Sequence, residues 1–423
     1  MGPAPLVLRA RAVLPIRRPP IADGAVVVSG DRIVRVGQWS RLRNAGRVVD
    51  LADSVLLPGL VNAHCHLDYT HLAGLIPPPR SFCDWLRCIV SEKSQWQASD
   101  YESSWKAGAA MLVRQGTTTV GDVEVMPQLL PKLWAGTPLR VLSFLEMINW
   151  GGPKEAESLV ASTLATLRRL PVGRCAGHLS PHAPYTAPPA LLRASAHAAR
   201  QHGLRLTTHI AESAAEFEMF AHGRGEMFDW FRGGRRDMSD CGKLSPVQAV
   251  ARAGLLGRNL LAVHVNYLGP GDADLLARRG VSVVHCPRSH AYFRHAEFPR
   301  RKLAKAGVNL CLGTDSLASA RGRRGHPLEL DLFEELRAFS RAHPGVRPSA
   351  MLEMVTVNGA RALGLRGQVG EIAPKAHADL IALPFSGGLR EAAEAVVHHV
   401  GPVRASMIAG QWALAPTSAP SVA

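Results

Sequence analysis

Hydrophobic positions follow two different periods along this chain. Near the start, PLVLRARAVLPI, GAVVVSG and DRIVRVG are short runs rich in β-branched residues and broken by Gly or Asp, a pattern that predicts strands. Strand-like runs return near the end in ADLIALPF and VRASMIAGQWAL, with Gly410 at a turn. Between them lie eight further strand candidates: SVLLPGLVNAH, TTTVGDV, LRVLSFLE, CAGHLSPH, LRLTTHIAE, LLAVHVN, VSVVHCP and NLCLGTD. Amphipathic stretches separate them, among them YESSWKAGAAMLVRQ, ESLVASTLATLRRL, PALLRASAHAARQ and FPRRKLAKAG. Strands alternating with helices in this way predict an α/β fold, a (β/α)8 TIM barrel. The two chain ends are expected to pair into a small β-sandwich beside it. The expected boundaries are 1–54 and 367–414 for the sandwich and 55–366 for the barrel, with 415–423 a disordered tail.

Bulk composition changes this picture little. A chain of 423 residues, 47% hydrophobic and 20% charged, suits one large barrel with a minor domain. The net charge of +15 raises the question of nucleic acid. The arginines, however, are scattered through helical stretches, and their densest cluster, Arg321, Arg323 and Arg324, is too short for a basic arm. Seven dispersed cysteines without a C-x-x-C pair fit reduced thiols in a cytoplasmic protein. There is no charged start followed by a long apolar run, and no stretch of about eighteen apolar residues to span a membrane. The expected partner is a small-molecule substrate, not nucleic acid or membrane, with a homodimer left open.

The chemistry sits at predicted strand ends, where barrel enzymes gather their reactive groups. Strand one ends in Asn62, His64 and His66, strand five in His209 and Glu212, strand six in His264, strand seven in His285 and strand eight in Asp315. His64 and His66 are two apart, so on a strand they share a face. An isolated H-x-H is more often a pair of ordinary histidines. A third imidazole and a carboxylate at matched strand ends reverse that weighting and complete an N3O set for one divalent metal, Zn2+ or Fe2+. Glu212, three residues after His209, can serve as general acid and base beside such a metal. Glu216 reads instead as a solvated residue at a helix start. Cys65, Cys286 and Cys311 read as buried structural thiols.

The strings PGLVNAHCHLDY, SPHAPYT, THIAES, AVHVNYL, VHCPRSHAYF and GTDSLAS occur in that order. They resemble the amidohydrolase superfamily, and within it the cytosine-deaminase-like and chlorohydrolase-like aminohydrolases. The resemblance covers nearly the whole chain. It implies that His64, His66, His209 and Asp315 bind the metal, that Glu212 moves the proton, and that His264 steers the attacking water. It also implies that His182 contacts substrate. Binuclear relatives carry a bridging Lys at the end of strand four. No Lys lies between Lys154 and Lys243, which points to one metal. Where many relatives have Asn, this chain has His290, followed by Ala291, Tyr292 and Phe293. The segment SFCDWLRCIVSEKSQW is similar to the lid of aminodeoxyfutalosine deaminases. Trp85, His182, His290 and Phe293 are the expected substrate contacts, with lid packing as the competing role for Trp85 and Phe293.

Three readings follow. The first is a metal-dependent aminohydrolase that replaces an amino group on a heterocycle or nucleoside-like compound. In the second, the same site cleaves a C–Cl bond or another C–N bond, as a chlorohydrolase or cyclic amidohydrolase would. In the third, a basic nucleic-acid-binding protein uses an inactive scaffold, which predicts a missing ligand.

Overall fold

The computed structural model describes residues 4–77, 79–149, 151–234, 236–322 and 328–416. Arg323, Arg324 and residues 417–423 of the expected tail lie outside the described residues.

The β-branched runs of both chain ends meet in one eight-stranded sheet. From the start come β1 (Leu6–Val13), β2 (Ile21–Ser29), β3 (Arg32–Gln38), β4 (Arg47–Asp50) and β5 (Ser54–Pro58). The sheet forks at β1, whose first half pairs with β4 and whose second half pairs with β5.

One expectation needs correction here. The apolar run SVLLPGLVNAH is two strands, divided at Gly59. Its first part, β5, belongs to the end sheet, and its second part, β6 (Leu60–Cys65), opens the barrel. A Cβ at Gly59 would lie 2.1 Å from the Thr118 side chain, so only glycine lets the chain cross over there. Both halves are buried and apolar, so periodicity alone could not show the break.

The barrel continues through β7 (Thr117–Glu124), β8 (Arg140–Met147), β9 (Ala176–Pro181), β10 (Leu206–Ile210), β11 (Leu260–His264), β12 (Ser282–His285) and β13 (Asn309–Leu312). Each strand is parallel to the next, as helical crossovers require. The ring closes where the Asp315 N–H donates to the His64 carbonyl at 3.2 Å.

The helix Val357–Ala362 seals the amino ends of the strands. Ala360, Leu363 and Val369 pack there against Val61, Leu142 and Leu261. The lid-like segment forms the helix Phe82–Lys93, started by the Ser81 side chain, which accepts from the Asp84 N–H.

The chain then returns to the end sheet as β14 (Leu380–Pro384), β15 (Ala405–Ile408) and β16 (Gln411–Leu414). β14 pairs with β5, so one sheet carries both ends of the chain. Ala409 and Gly410 both take left-handed angles, which is the two-residue turn of a tight hairpin. A Cβ at Gly410 would lie 2.0 Å from the Gly30 carbonyl oxygen, so the first and last hairpins touch. Leu8, Val26, Ile33, Leu56, Leu380 and Met407 share one core, although they come from strands far apart in the sheet order. The small β domain expected from the two chain ends is thus present, as one eight-stranded sheet that forks at β1.

Candidate active site

The last residues of the barrel strands converge on one point. β6 changes register on either side of Asn62, which re-aims its end. The Asn62 side chain donates to Thr314 Oγ1 at 2.8 Å and accepts from the Thr314 N–H at 3.1 Å, tying that end to the residues after β13. The His64 and His66 rings then stand 4.9 Å apart, and each Nε2 lies 3.8 Å from Asp315 Oδ1. The His209 Nδ1–H donates to the His182 carbonyl at 2.9 Å, which turns the Nε2 lone pair into the site. That Nε2 is 3.4 Å from the His66 Nε2. His264 closes the ring, with its Nε2 3.4 Å from Glu212 Oε1 and 4.0 Å from Asp315 Oδ2.

The donor set fits a cation. The donor atoms of His64, His66 and Asp315 lie within 4.8 Å of one another, and so do those of His64, His209 and His264. The Nε2 atoms of His64 and His264 are buried without a hydrogen-bond partner among the described residues. Two imidazole lone pairs facing each other repel, and a positive ion between them converts that repulsion into bonds. Three or four imidazoles with one carboxylate suit Zn2+ or Fe2+ better than an all-oxygen cation.

Burial sets the charge states. It holds His66 and His264 well below the usual imidazole range and His209 down at about 3, so these rings are neutral at neutral pH. Burial also works to raise Asp315, but the neighbouring His64, His264 and His66 outweigh it and hold the carboxyl well below its ordinary range. Glu212 is pushed the other way, well above the ordinary carboxyl range, by burial first and then by Asp315 and Glu216. Two carboxyls at one site are thereby separated into an anion and a proton carrier.

The backbone is strained at these positions. Ala211, His264, Val265 and Asp315 all take positive φ, between 51° and 72°. Such angles are costly for residues with a Cβ and cluster at functional sites. Hydrogen bonds hold them in place. The Val265 N–H donates to the Ile210 carbonyl, and the Asn266 N–H to that of Ala211. Asp315 also accepts from the Ser316 N–H and the Ser319 hydroxyl.

Glu216 requires a correction. It is not a solvated helix-start residue but is fully buried, accepting from the N–H groups of Ala211 at 2.9 Å and Glu212 at 2.8 Å. Those two donors face inward from a strained turn and require an internal acceptor. Burial pushes the Glu216 carboxyl up to about 7, although these bonds oppose the shift.

The expected substrate contacts divide. Trp85 and His182 line the cavity above the histidines, with Tyr69, Leu86, Ile89 and Tyr185. His290 and Phe293 are not among its lining residues. The His290 ring meets Asn266 Oδ1 at 3.1 Å, and the Asn266 amide donates to the Glu212 carbonyl, so His290 sits behind the site. Phe293 packs edge-on against Phe82 and Trp85. His285 also faces away, stacked on Phe298 at 3.8 Å between centroids. Tyr69 and Tyr185 were not singled out in the sequence, where each reads as an ordinary aromatic beside a motif. Cys286 is fully buried, with its sulfur within 4.8 Å of donor atoms of His264 and Asp315.

A closed parallel barrel with imidazoles and a carboxylate gathered at its strand ends defines the class of metal-dependent barrel hydrolases. The profile of the amidohydrolase family matches residues 55–413, and this chain belongs to that family. It is 33% identical over 379 residues to a 5-methylthioadenosine/S-adenosylhomocysteine deaminase of Syntrophobacter fumaroxidans, covering 86% of this chain and 80% of that protein. It is 30% identical to an aminodeoxyfutalosine deaminase of Deinococcus radiodurans, covering 82% of each. Among solved structures, an adenosine deaminase from Xanthomonas campestris with bound zinc is similar at 26% identity and a TM-score of 0.81, covering 97% of this chain and 93% of that one.

Proposed function

We propose that this protein is an aminohydrolase that replaces the amino group of an aminopurine-type heterocycle, carried on a nucleoside-like substrate, with oxygen from water. The observation that carries the reading is the placement of two buried carboxyls beside one imidazole, Glu212 at 3.4 Å and Asp315 at 4.0 Å from His264 Nε2, in surroundings that push Glu212 up and Asp315 down. Two relatives named as deaminases, at 30% identity or above, support the C–N bond as the one cleaved.

One divalent metal, Zn2+ in preference to Fe2+, would be held by His64, His66, His209 and Asp315. The zinc of the Xanthomonas relative supports that choice. Such an ion supplies a Lewis acid that makes water a nucleophile near neutral pH. The chain's own groups do the rest. Asp315 accepts the proton that the attacking water gives up. His264 directs its Nε2 at that water and fixes the line of attack. Glu212 donates its proton to the ring nitrogen beside the attacked carbon, drawing charge away as that carbon becomes tetrahedral. Glu212, now ionised, takes the proton of the new hydroxyl as the carbonyl forms, and the proton held by Asp315 passes to the departing amine, which leaves as ammonia. His182 and Trp85 orient the heterocycle, and the lid helix excludes bulk water. Seven free cysteines among the described residues support a reducing compartment, the cytoplasm. No helix among the described residues is long and apolar enough to cross a membrane.

Ammonia release from the zinc-loaded protein, screened over adenosine-type nucleosides, aminopurines, aminopyrimidines and triazines, tests the reading. A nucleoside is expected to react. The Glu212→Gln variant should keep its metal and lose about 10^2 to 10^4 of kcat. Chloride release from a halogenated triazine with no ammonia from any nucleoside would contradict the proposal, and full activity in Glu212→Gln would remove that residue from the mechanism.

A further inference from the structure

Among the arginines of the described residues, only Arg140, Arg236 and Arg337 are buried. Arg140 is the first residue of β8, at the amino end of the barrel, and Arg337 pairs with Glu334 inside the helix Leu332–Ala342. Arg236 is placed differently. It lies between the helices Glu226–Arg232 and Pro246–Arg252, in the excursion that follows β10, and its side chain is 1% exposed. All five of its N–H groups are used. Nε donates to the Tyr185 carbonyl at 3.0 Å and Nη2 to the Pro184 carbonyl at 3.1 Å. Nη1 and Nη2 each donate to one oxygen of Asp240 at 2.8 Å, and Nη1 also donates to the Asp237 carbonyl at 2.7 Å. The Phe220 ring lies beside the fork, its centroid 5.5 Å from the guanidinium carbon. A buried cation is tolerated only with such complete pairing, and the planar fork of arginine is the group that can meet a carboxylate and two carbonyls together.

The two carbonyls that Arg236 holds belong to the loop after β9, and that loop is part of the active site. His182 and Tyr185 both line the cavity, with their rings edge-on at 5.7 Å. The His182 carbonyl accepts from the N–H and from the Nδ1–H of His209, so the start of the loop is fixed to β10. Its end is fixed where the Asn149 N–H donates to the Thr186 carbonyl. Between these points the Pro184 and Tyr185 carbonyls accept no backbone N–H among the described residues, and the guanidinium of Arg236 takes that place.

We infer that Arg236 is a positioning residue: it clamps the apex of the loop after β9 so that the Tyr185 ring forms a fixed wall of the cavity against the substrate, and Asp240 orients the clamp. Arg236 does not itself line the cavity, and it acts through Tyr185. The ring is 1% exposed and backed by Phe231 at 5.8 Å between centroids, so a shift of the loop apex moves the wall as a unit. A wall held in place before the substrate arrives leaves less ordering to be done on binding. The inference rests on the aminohydrolase reading for the kind of ligand that meets this wall; the clamp itself is read from the hydrogen bonds.

The test compares the full-length, zinc-loaded wild type with Arg236→Lys and with the double variant Arg236→Met, Asp240→Leu. Lysine keeps the charge but has one nitrogen, which cannot reach both carbonyls and both carboxylate oxygens. The double variant removes the pair without leaving one buried charge behind, so it decides the matter if Arg236→Lys does not fold. Adenosine is the probe for kcat and KM by ammonia release, and for Kd by calorimetry in the Glu212→Gln background. Amide hydrogen exchange, resolved by peptide, follows the loop without any ligand. KM and Kd should rise about 10-fold or more in both variants while kcat stays within about 3-fold. Exchange should quicken at residues 181–187 and around the substitutions, and stay at the wild-type rate through the rest of the barrel. Faster exchange throughout the protein with KM unchanged would assign Arg236 to stability alone and overturn the inference. So would an unchanged KM in an active double variant, or unaltered exchange at residues 181–187. If the wild type neither binds nor deaminates adenosine but the local exchange pattern is found in the variants, the clamp stands and the aminohydrolase reading fails for that nucleoside.

Discussion

The two ends of the same eight strands are built to opposite rules. At the amino ends the chain is packed and apolar. Val61, Leu142 and Leu261 meet Leu363 and Val369. At the carboxyl ends the backbone is bent into positive φ at Ala211, His264, Val265 and Asp315, and imidazole nitrogens are buried without partners. One end gains from burying carbon; the other bears strain and unmet polar groups that a bound ion can satisfy. In barrels, stability and chemistry separate in this way along the strand direction, and here the separation runs through single strands: β6 begins at Leu60 in the core and delivers His64 four residues later.

That contrast gives a graded set of expectations. Asp315→Ala should have the largest effect on activity, reducing ammonia release to background, because it removes the carboxylate that lies within 4.0 Å of three imidazole nitrogens. Leu363→Ala, at the other end, should lower unfolding free energy by about 2–5 kcal/mol in denaturant titrations while leaving kcat of the folded fraction unchanged. A large fall in kcat there would mean the two ends are coupled. Glu216→Gln should fall between them in kind and below both in size. It weakens an acceptor of two buried N–H groups, costing about 1–3 kcal/mol. It should also lower kcat modestly by loosening Glu212. Unchanged stability and kcat together would show that the strained turn holds without it.

Much of the site was legible in the sequence because barrel strands end where motifs end. His64 and His66 on one pleat, His209, His264 and Asp315 at later strand ends could all be read from alternation and spacing. Other features were hidden for physical reasons. The break at Gly59 lies inside one apolar run, and only the contact with Thr118 reveals it. Glu216 sits where charged residues usually face water, and its burial follows from a strained turn that no local pattern encodes. His290 and Phe293 were correctly placed in the strand-seven loop but not in the cavity, since the direction of that short helix is set by packing against Phe82, Trp85 and Phe298.

The central claim is that the strained strand ends hold one catalytic divalent ion. Elemental analysis of the purified wild type and of Asp315→Ala, before and after zinc loading and dialysis, addresses it directly. About one zinc per chain in the wild type, and retention well below that in the variant, is the predicted result. Equal metal content in the two proteins, or an active wild type that holds no metal, would contradict it.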